Sequence, residues 1–234
     1  MIKTFIIGIF LFVSSFSFSA LSENKILNKA EEHFQKKEWK EASEIYNIVL
    51  NGDKGNISLY APSIIAAGKC NNYNRVMSYI SISENSGIPL DSVLKQTLTL
   101  SLKTRNTDIY ENTLLLIKEK QPWLKNFVNN HLLDFYFNRK NNIKCIEVAD
   151  AIIEGKPKNI TDIMIVKAKA MNDIGDINSA VSVMEEVLNL NPEIAEARLF
   201  LGYYYFLSAK QSIKDGNFTI KLPQKRGKKS EEIT

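Results

Sequence analysis

Apolar residues return at three- and four-residue intervals along most of this chain, and short polar or glycine-bearing stretches interrupt the pattern. The pattern is clearest from Ile160 to Tyr205. Met164, Ala168 and Met171 share one face of a helix predicted over about Thr161 to Asp173, and Gly175 then breaks it. Ala180, Val183, Met184, Val187 and Leu188 form the stripe of a second helix, which Asp176 or Asn178 can cap. Asn191 and Pro192 restart the pattern, since asparagine caps well and proline's missing N–H costs nothing in a first helical turn. The prediction is a tight helical hairpin followed by the first helix of another.

The same unit recurs upstream. Ile26, Leu27, Ala30 and Phe34 precede a polar turn, and Trp39, Ala42, Tyr46, Val49 and Leu50 follow it; Asn51, Gly52 and Gly55 then end the pair. Ala42, Val76, Tyr110, Ile146 and Ala180, each mid-way into a second helix, lie 34, 34, 36 and 34 residues apart. Pro89, Pro122, Pro157 and Pro192 mark junctions 33, 35 and 35 residues apart, where proline can end or begin a helix. The second pair is expected as Leu59 to Lys69 and Asn74 to Ser83, the third within Asp91 to Leu124, and the fourth within Phe127 to Ile160. Tyr110 and Ile146 stand where a small residue would bring helices together, so wider or irregular spacing is expected in the middle pairs.

From Pro192 to about Ile213 a last helix is apolar or aromatic nearly all round between Leu199 and Leu207. A terminal helix should show a polar outer face, so either Phe218 to Leu222 folds back over it or another molecule covers it.

Gly175, Ala180 and Pro192, with Ala195 to Tyr205 carrying Gly202 and Tyr205 at the next small and aromatic positions, resemble the tetratricopeptide repeat, whose period is about 34 residues. The resemblance implies an all-α solenoid of about five such helix-turn-helix repeats plus a terminal helix. Because the family lines its concave surface with first helices, it also implies a cationic row of Lys69, Lys103 and Arg139 at equivalent helix ends. His131 and Asn138 would lie near that row and Lys169 one repeat beyond, facing an acidic or C-terminal carboxylate ligand. Gln35 and Asp173 break the row, and the helix dipole alone favours cations at these ends by about 0.3 to 1 kcal/mol. A second partner surface, or one for self-association, is expected on the terminal helix at Phe200, Tyr203, Tyr204 and Phe206.

Composition is ordinary for one folded unit, with 44% hydrophobic and 24% charged residues in 234. Residues 1 to 20 read as a signal peptide: Lys3 is the only charge, Phe5 to Val13 is apolar, and a small, polar string follows. That apolar run is shorter than the ~20 residues a membrane span needs. The expected organisation is therefore a signal peptide at 1–20, a repeat domain at 21–215 and a basic, disordered tail at 216–234, in an exported, periplasmic or secreted protein with no membrane span after cleavage. The formal net charge of +4 resides in the last 25 residues, where seven Lys or Arg meet three Asp or Glu, so no basic face suits nucleic acid. Cys70 and Cys145 fall two repeats apart and are expected as buried free thiols.

No phosphate loop, metal-binding helix motif or nucleophile elbow is present. His33 and His131 are too far apart to share a metal, and adjacent acid pairs such as Glu185 with Glu186 splay apart on a helix. The sequence therefore leads to a non-catalytic scaffold without cofactor or metal, binding protein or peptide in an extracytoplasmic complex. The other readings are a carbohydrate- or small-ligand-binding groove using Tyr203, Phe135 and His131, and a hydrolase or transglycosylase, for which no converging acids appear.

Overall fold

In the computed structural model, which describes residues 24–216, the chain is helix joined by short turns, with no strand among the described residues. The helices are α1 (24–35), α2 (Trp39–Gly52), α3 (Tyr60–Lys69), α4 (Tyr73–Asn85), α5 (Leu90–Thr104), α6 (Thr107–Lys120), α7 (Lys125–Asn138), α8 (Asn142–Ile153), α9 (Ile160–Asp173), α10 (Ile177–Leu190) and α11 (Ala195–Lys214). Single 3-10 turns at Ile57–Leu59 and Pro122–Leu124 lead into α3 and α7. The expected segments 1–20 and Phe218 to Leu222, and nearly all of 216–234, lie outside the described residues.

Each of the five pairs turns by the same main-chain device. Lys37, Asn71, Arg105, Lys140 and Gly175, spaced 34, 34, 35 and 35 residues apart, adopt the left-handed conformation with φ between 54° and 86°. The N–H of the following residue donates to the carbonyl five residues back: Glu38 to His33 (2.9 Å), Asn72 to Ala67 (2.9 Å), Asn106 to Ser101 (2.8 Å), Asn141 to Tyr136 (2.9 Å) and Asp176 to Met171 (3.0 Å). This closure satisfies carbonyls that the helix end would otherwise orphan. Asn72 and Asp176 then cap their second helices, accepting from the N–H of Arg75 (3.1 Å) and Ser179 (3.3 Å), so Asp176 rather than Asn178 caps α10. Asn191 caps no helix: its Oδ1 accepts from Glu193 N–H at 3.1 Å in a short turn, and Ile194 is the residue from which α11 starts.

The described residues form two compact units that divide between Leu132 and Leu133, inside α7. In the first, α3 is central. Tyr60, Ala61, Ser63, Ile64, Ile65, Ala66, Ala67 and Gly68 are all buried, so one helix is enclosed nearly all round by α2, α4, α5 and α6. Pro62 lies in its first turn, where no N–H is missed. Three fully buried tyrosines, Tyr60 of α3, Tyr79 of α4 and Tyr110 of α6, have hydroxyls that are not stranded. Tyr60 donates to the Lys54 carbonyl (2.7 Å), Tyr79 reaches Asn47 Oδ1 (3.4 Å), and the Tyr110 hydroxyl lies 3.2 Å from His131 Nδ1.

Tyr110 thus occupies a position for which the sequence pattern asked for a small residue, and the smallness is supplied elsewhere. A Cβ added to Gly68 of α3 would stand 2.5 Å from Cγ2 of Ile109 on α6, so the two helices meet at that glycine. Ser101 Oγ, Gln121 Oε1 and Asn142 Oδ1 are buried without a hydrogen-bond partner. Asn129 of α7 is fully buried and neither its Nδ2 nor its Oδ1 has a hydrogen-bond partner, a state that costs about 1–3 kcal/mol.

In the second unit, Met164, Ile165 and Ala168 of α9 and Ala180, Val181, Met184 and Val187 of α10 form a core that Ala197 and Leu201 of α11 extend. Ala168 and Ala180 are wholly buried. α8 covers the other side of α9, contributing Ile153 to the margin of the same cluster.

Two substitutions test this packing. Gly68→Ala is expected to destabilise by about 1–3 kcal/mol through overpacking, and by less in an Ile109→Ala background; denaturant unfolding of the double-mutant cycle measures the difference. Arg105→Gly relieves a left-handed L-residue and is expected to add about 1 kcal/mol of stability, read as a raised thermal midpoint.

Candidate partner-binding surfaces

The first helices of the first unit line an open cavity of about 680 Å³. α1 contributes Glu31 and Gln35, α3 contributes Ala61 and Pro62, and α5 contributes Lys95, Gln96, Thr99, Leu100 and Lys103. Many of these residues are one or two repeat periods apart: Ala61 with Lys95, Pro62 with Gln96, Glu31 with Thr99, and Gln35 with Lys103. Equal spacing on successive first helices places their side chains on the same wall. Tyr46 of α2 also lines the cavity, and burial, with Glu31 nearby, pushes its hydroxyl pKa upward, so it stays a neutral phenol at neutral pH. Toward the turns, a second cavity of about 400 Å³ shares Gln35, Leu100 and Lys103 and adds Lys37 and Arg105. Three cations therefore gather at one end of the groove. Lys95 is tied to Asp91 at 2.7 Å, whereas Lys103 has no ion-pair partner among the described residues.

Of the six groove residues expected from sequence, Lys103 alone lines these cavities. Lys69 ends α3 as expected but is three-quarters buried and pairs with Asp108 of α6 at 3.1 Å. Measured from the left-handed turn residues, the row of equivalent positions is Gln35, Lys69, Lys103, Asn138 and Asp173. Arg139 is thus one residue out of register with Lys69 and Lys103, contrary to the expected cationic row, and its guanidinium stands 5.7 Å over the Phe135 ring. Asn138, which holds the row position, donates from Nδ2 back to the Asp134 carbonyl at 2.8 Å. His131 is held between Tyr110 and Asp91, its Nε2 3.4 Å from the Asp91 carboxylate, with the Phe127 ring edge-on at 4.7 Å. Lys169 pairs with Glu196 of α11, and Lys140 closes over Asp173 at 2.8 Å.

Phe135 is buried and so cannot offer the stacking face that a carbohydrate groove would need. Glu31 and Gln96 were missed as lining residues, and Gln35 was placed in the row only as an interruption of it. The period read along first helices rather than second ones would have found them.

On α11 the aromatic residues divide by direction. Phe200 and Tyr204 pack against the α9–α10 core, while Tyr203 and Phe206 are 66% and 62% exposed, with Leu199 beside them at 74%. Tyr205 donates its hydroxyl to Glu185 of α10. Cys145 is a buried free thiol, but Cys70 is exposed where α3 ends, contrary to the expectation of two buried thiols.

Among the described residues no three His, Cys, Asp or Glu side chains gather as a metal site, and no helix is long and apolar enough to cross a membrane.

No protein-family model matches the chain, and no curated protein matches it in sequence. Solved structures do resemble it. The C-terminal part of a TPR repeat-containing protein from Cytophaga hutchinsonii is 12% identical with a TM-score of 0.43, over 81% of this chain and 72% of that one. A tetratricopeptide repeat protein from Parabacteroides merdae is 14% identical with a TM-score of 0.42, over 84% and 77%. The TPR2AB domain of yeast Sti1, solved as a complex with pHSP90, is 14% identical with a TM-score of 0.32, over 82% and 84%.

Burial also sets a pH limit. It pushes the Cys145 thiol from its ordinary 9.0 to about 11 and the Tyr79 phenol from 10.0 to about 12. Above pH 9 the unfolded chain releases these protons while the folded chain retains them, so the folded state loses stability as pH rises through roughly 9 to 12. Chemical denaturation at pH 8 and pH 11 is expected to show a lower midpoint at the higher pH.

Proposed function

We propose that the protein is a non-catalytic scaffold of an extracytoplasmic complex that holds a peptide segment of a partner protein in the groove of α1, α3 and α5. The observation that carries this reading is the periodic lining of that groove, ending in an unpaired Lys103 beside Lys37 and Arg105. Its floor offers apolar contact at Ala61, Pro62 and Leu100, and Gln35 and Gln96 can donate to and accept from an extended backbone. The cationic end suits an acidic side chain or a chain-terminal carboxylate, because a cation without a partner loses no existing ion pair when it binds an anion. The expected signal peptide at 1–20 supports placement outside the cytoplasm.

The test is fluorescence anisotropy with a panel of labelled peptides carrying acidic, neutral or basic ends, each with a free or amidated C-terminus. Lys103→Glu is expected to weaken the best acidic or free-carboxylate peptide by about tenfold, on the order of 1.4 kcal/mol, with the helical circular dichroism unchanged. Equal affinity in Lys103→Glu and the parent would remove the groove from the reading. Binding of glycans in place of peptides would favour a carbohydrate role instead.

A further inference from the structure

We propose that α11 pairs antiparallel with α11 of a second copy of this chain, through the stripe Leu199, Tyr203, Phe206 and Ile213. These residues follow one another at four-, three- and seven-residue steps, so they lie along one side of the helix. That side points away from Ala197, Leu201 and Tyr204, which pack on α10. The four are 74%, 66%, 62% and 57% exposed, on a helix of 20 residues that spans about 30 Å.

The repeat itself says what kind of object this side accepts. Moved on by 34 residues, Ile163 and Ala170 of α9 fall on Ala197 and Tyr204 of α11, and all four are covered at least in part. Met164, Ile165 and Ala168 fall on Arg198, Leu199 and Gly202. The α9 residues of that second set are buried in the core shared with α10, whereas their α11 counterparts are exposed. α11 therefore shows to solvent the side on which a first helix receives a second helix. Gly202 is central to that side, and a Cβ added there meets nothing within 4 Å, leaving room for another backbone to come close.

Charge selects the occupant. The exposed acids Glu193 and Glu196 lie at the start of α11, and the exposed Lys210 and Lys214 lie near its end, with Arg198 and Asp215 as the other charges. A second α11 running in the opposite direction sets Glu193 and Glu196 of each copy beside Lys210 and Lys214 of the other, and opposes the two helix dipoles favourably. Because Glu196 already pairs with Lys169 and Glu193 with Arg198, both at the surface, the charges fix direction while the apolar stripe supplies most of the affinity. By contrast, the apolar positions past the described residues, Phe218, Ile220 and Leu222, alternate and are followed by Pro223, which is not the three-and-four spacing of a covering helix.

Sedimentation velocity of residues 21–234, which include every described element, is expected to show a mass of two chains that dissociates on dilution. Tyr203→Ser with Phe206→Ser should leave one chain, with circular dichroism and groove-peptide affinity unchanged, since neither residue supports the core or lines the groove. Lys210→Glu with Lys214→Glu should weaken the pair, and adding Glu193→Lys with Glu196→Lys should restore it. A single chain at all concentrations overturns the proposal, as does a dimer indifferent to the Tyr203 and Phe206 changes. A dimer formed only after residues 217–234 are removed also overturns it, by showing that the chain's own end occupies the stripe.

Discussion

Two amphipathic helices folded against each other still have an apolar side that neither can hide, and this excess of unburied surface governs the described structure. In the first unit the consequence is α3, enclosed on nearly every side by helices from its own pair and its neighbours. In the second it is α9, covered on one side by α8 and on the other by α10. Burial of that area, at about 25 cal/mol per Å², is what makes a stack of pairs stable where an isolated pair would not be. α11 is the helix at which this covering stops among the described residues.

The same repetition that solves the burial problem builds the candidate groove. A side chain on a first helix that is not needed for packing is offered to solvent again one period later. Pro62 and Gln96, or Gln35 and Lys103, therefore come to share a wall without any local sequence motif linking them. The wall's chemistry is set by which of these repeated positions are already satisfied internally. Asp108 takes Lys69, so charge on that wall is concentrated at Lys103, with Lys37 and Arg105 beside it.

Much of the fold was legible because period and apolar spacing are strong one-dimensional signals. Of the five positions on the ruler, Ala42, Val76, Tyr110 and Ala180 are buried in second helices, while Ile146 is only half-buried and Cys145 and Ala149 fill the core of α8. The site was less legible, since helix-end cations read from the sequence do not reveal their partners. Asp108 lies 39 residues beyond Lys69, and nothing local announces their pairing. Arg139 was misplaced because the ruler through Tyr110 and Ile146 takes a step of 36 residues there, whereas the turns at Arg105 and Lys140 are 35 apart, which puts Asn138 in the row. Tyr110 stands where a small residue was expected, and the close approach beside it, at Gly68, is made by a different helix pair.

The five turns are closed by main-chain N–H and carbonyl groups, which every residue but proline can provide, and four of them are made by Lys, Asn or Arg. Glycine is helpful there without being required. Side chains at these turns can therefore vary while the hairpins stay shut, and a small residue at the turn is joined by a small residue in the second helix only in the last pair, at Gly175 and Ala180. An architecture held by backbone closure and generic apolar spacing can outlast the motif by which a profile would recognise it, so kinship in such chains is better sought in the rhythm of their turns than in the letters at them.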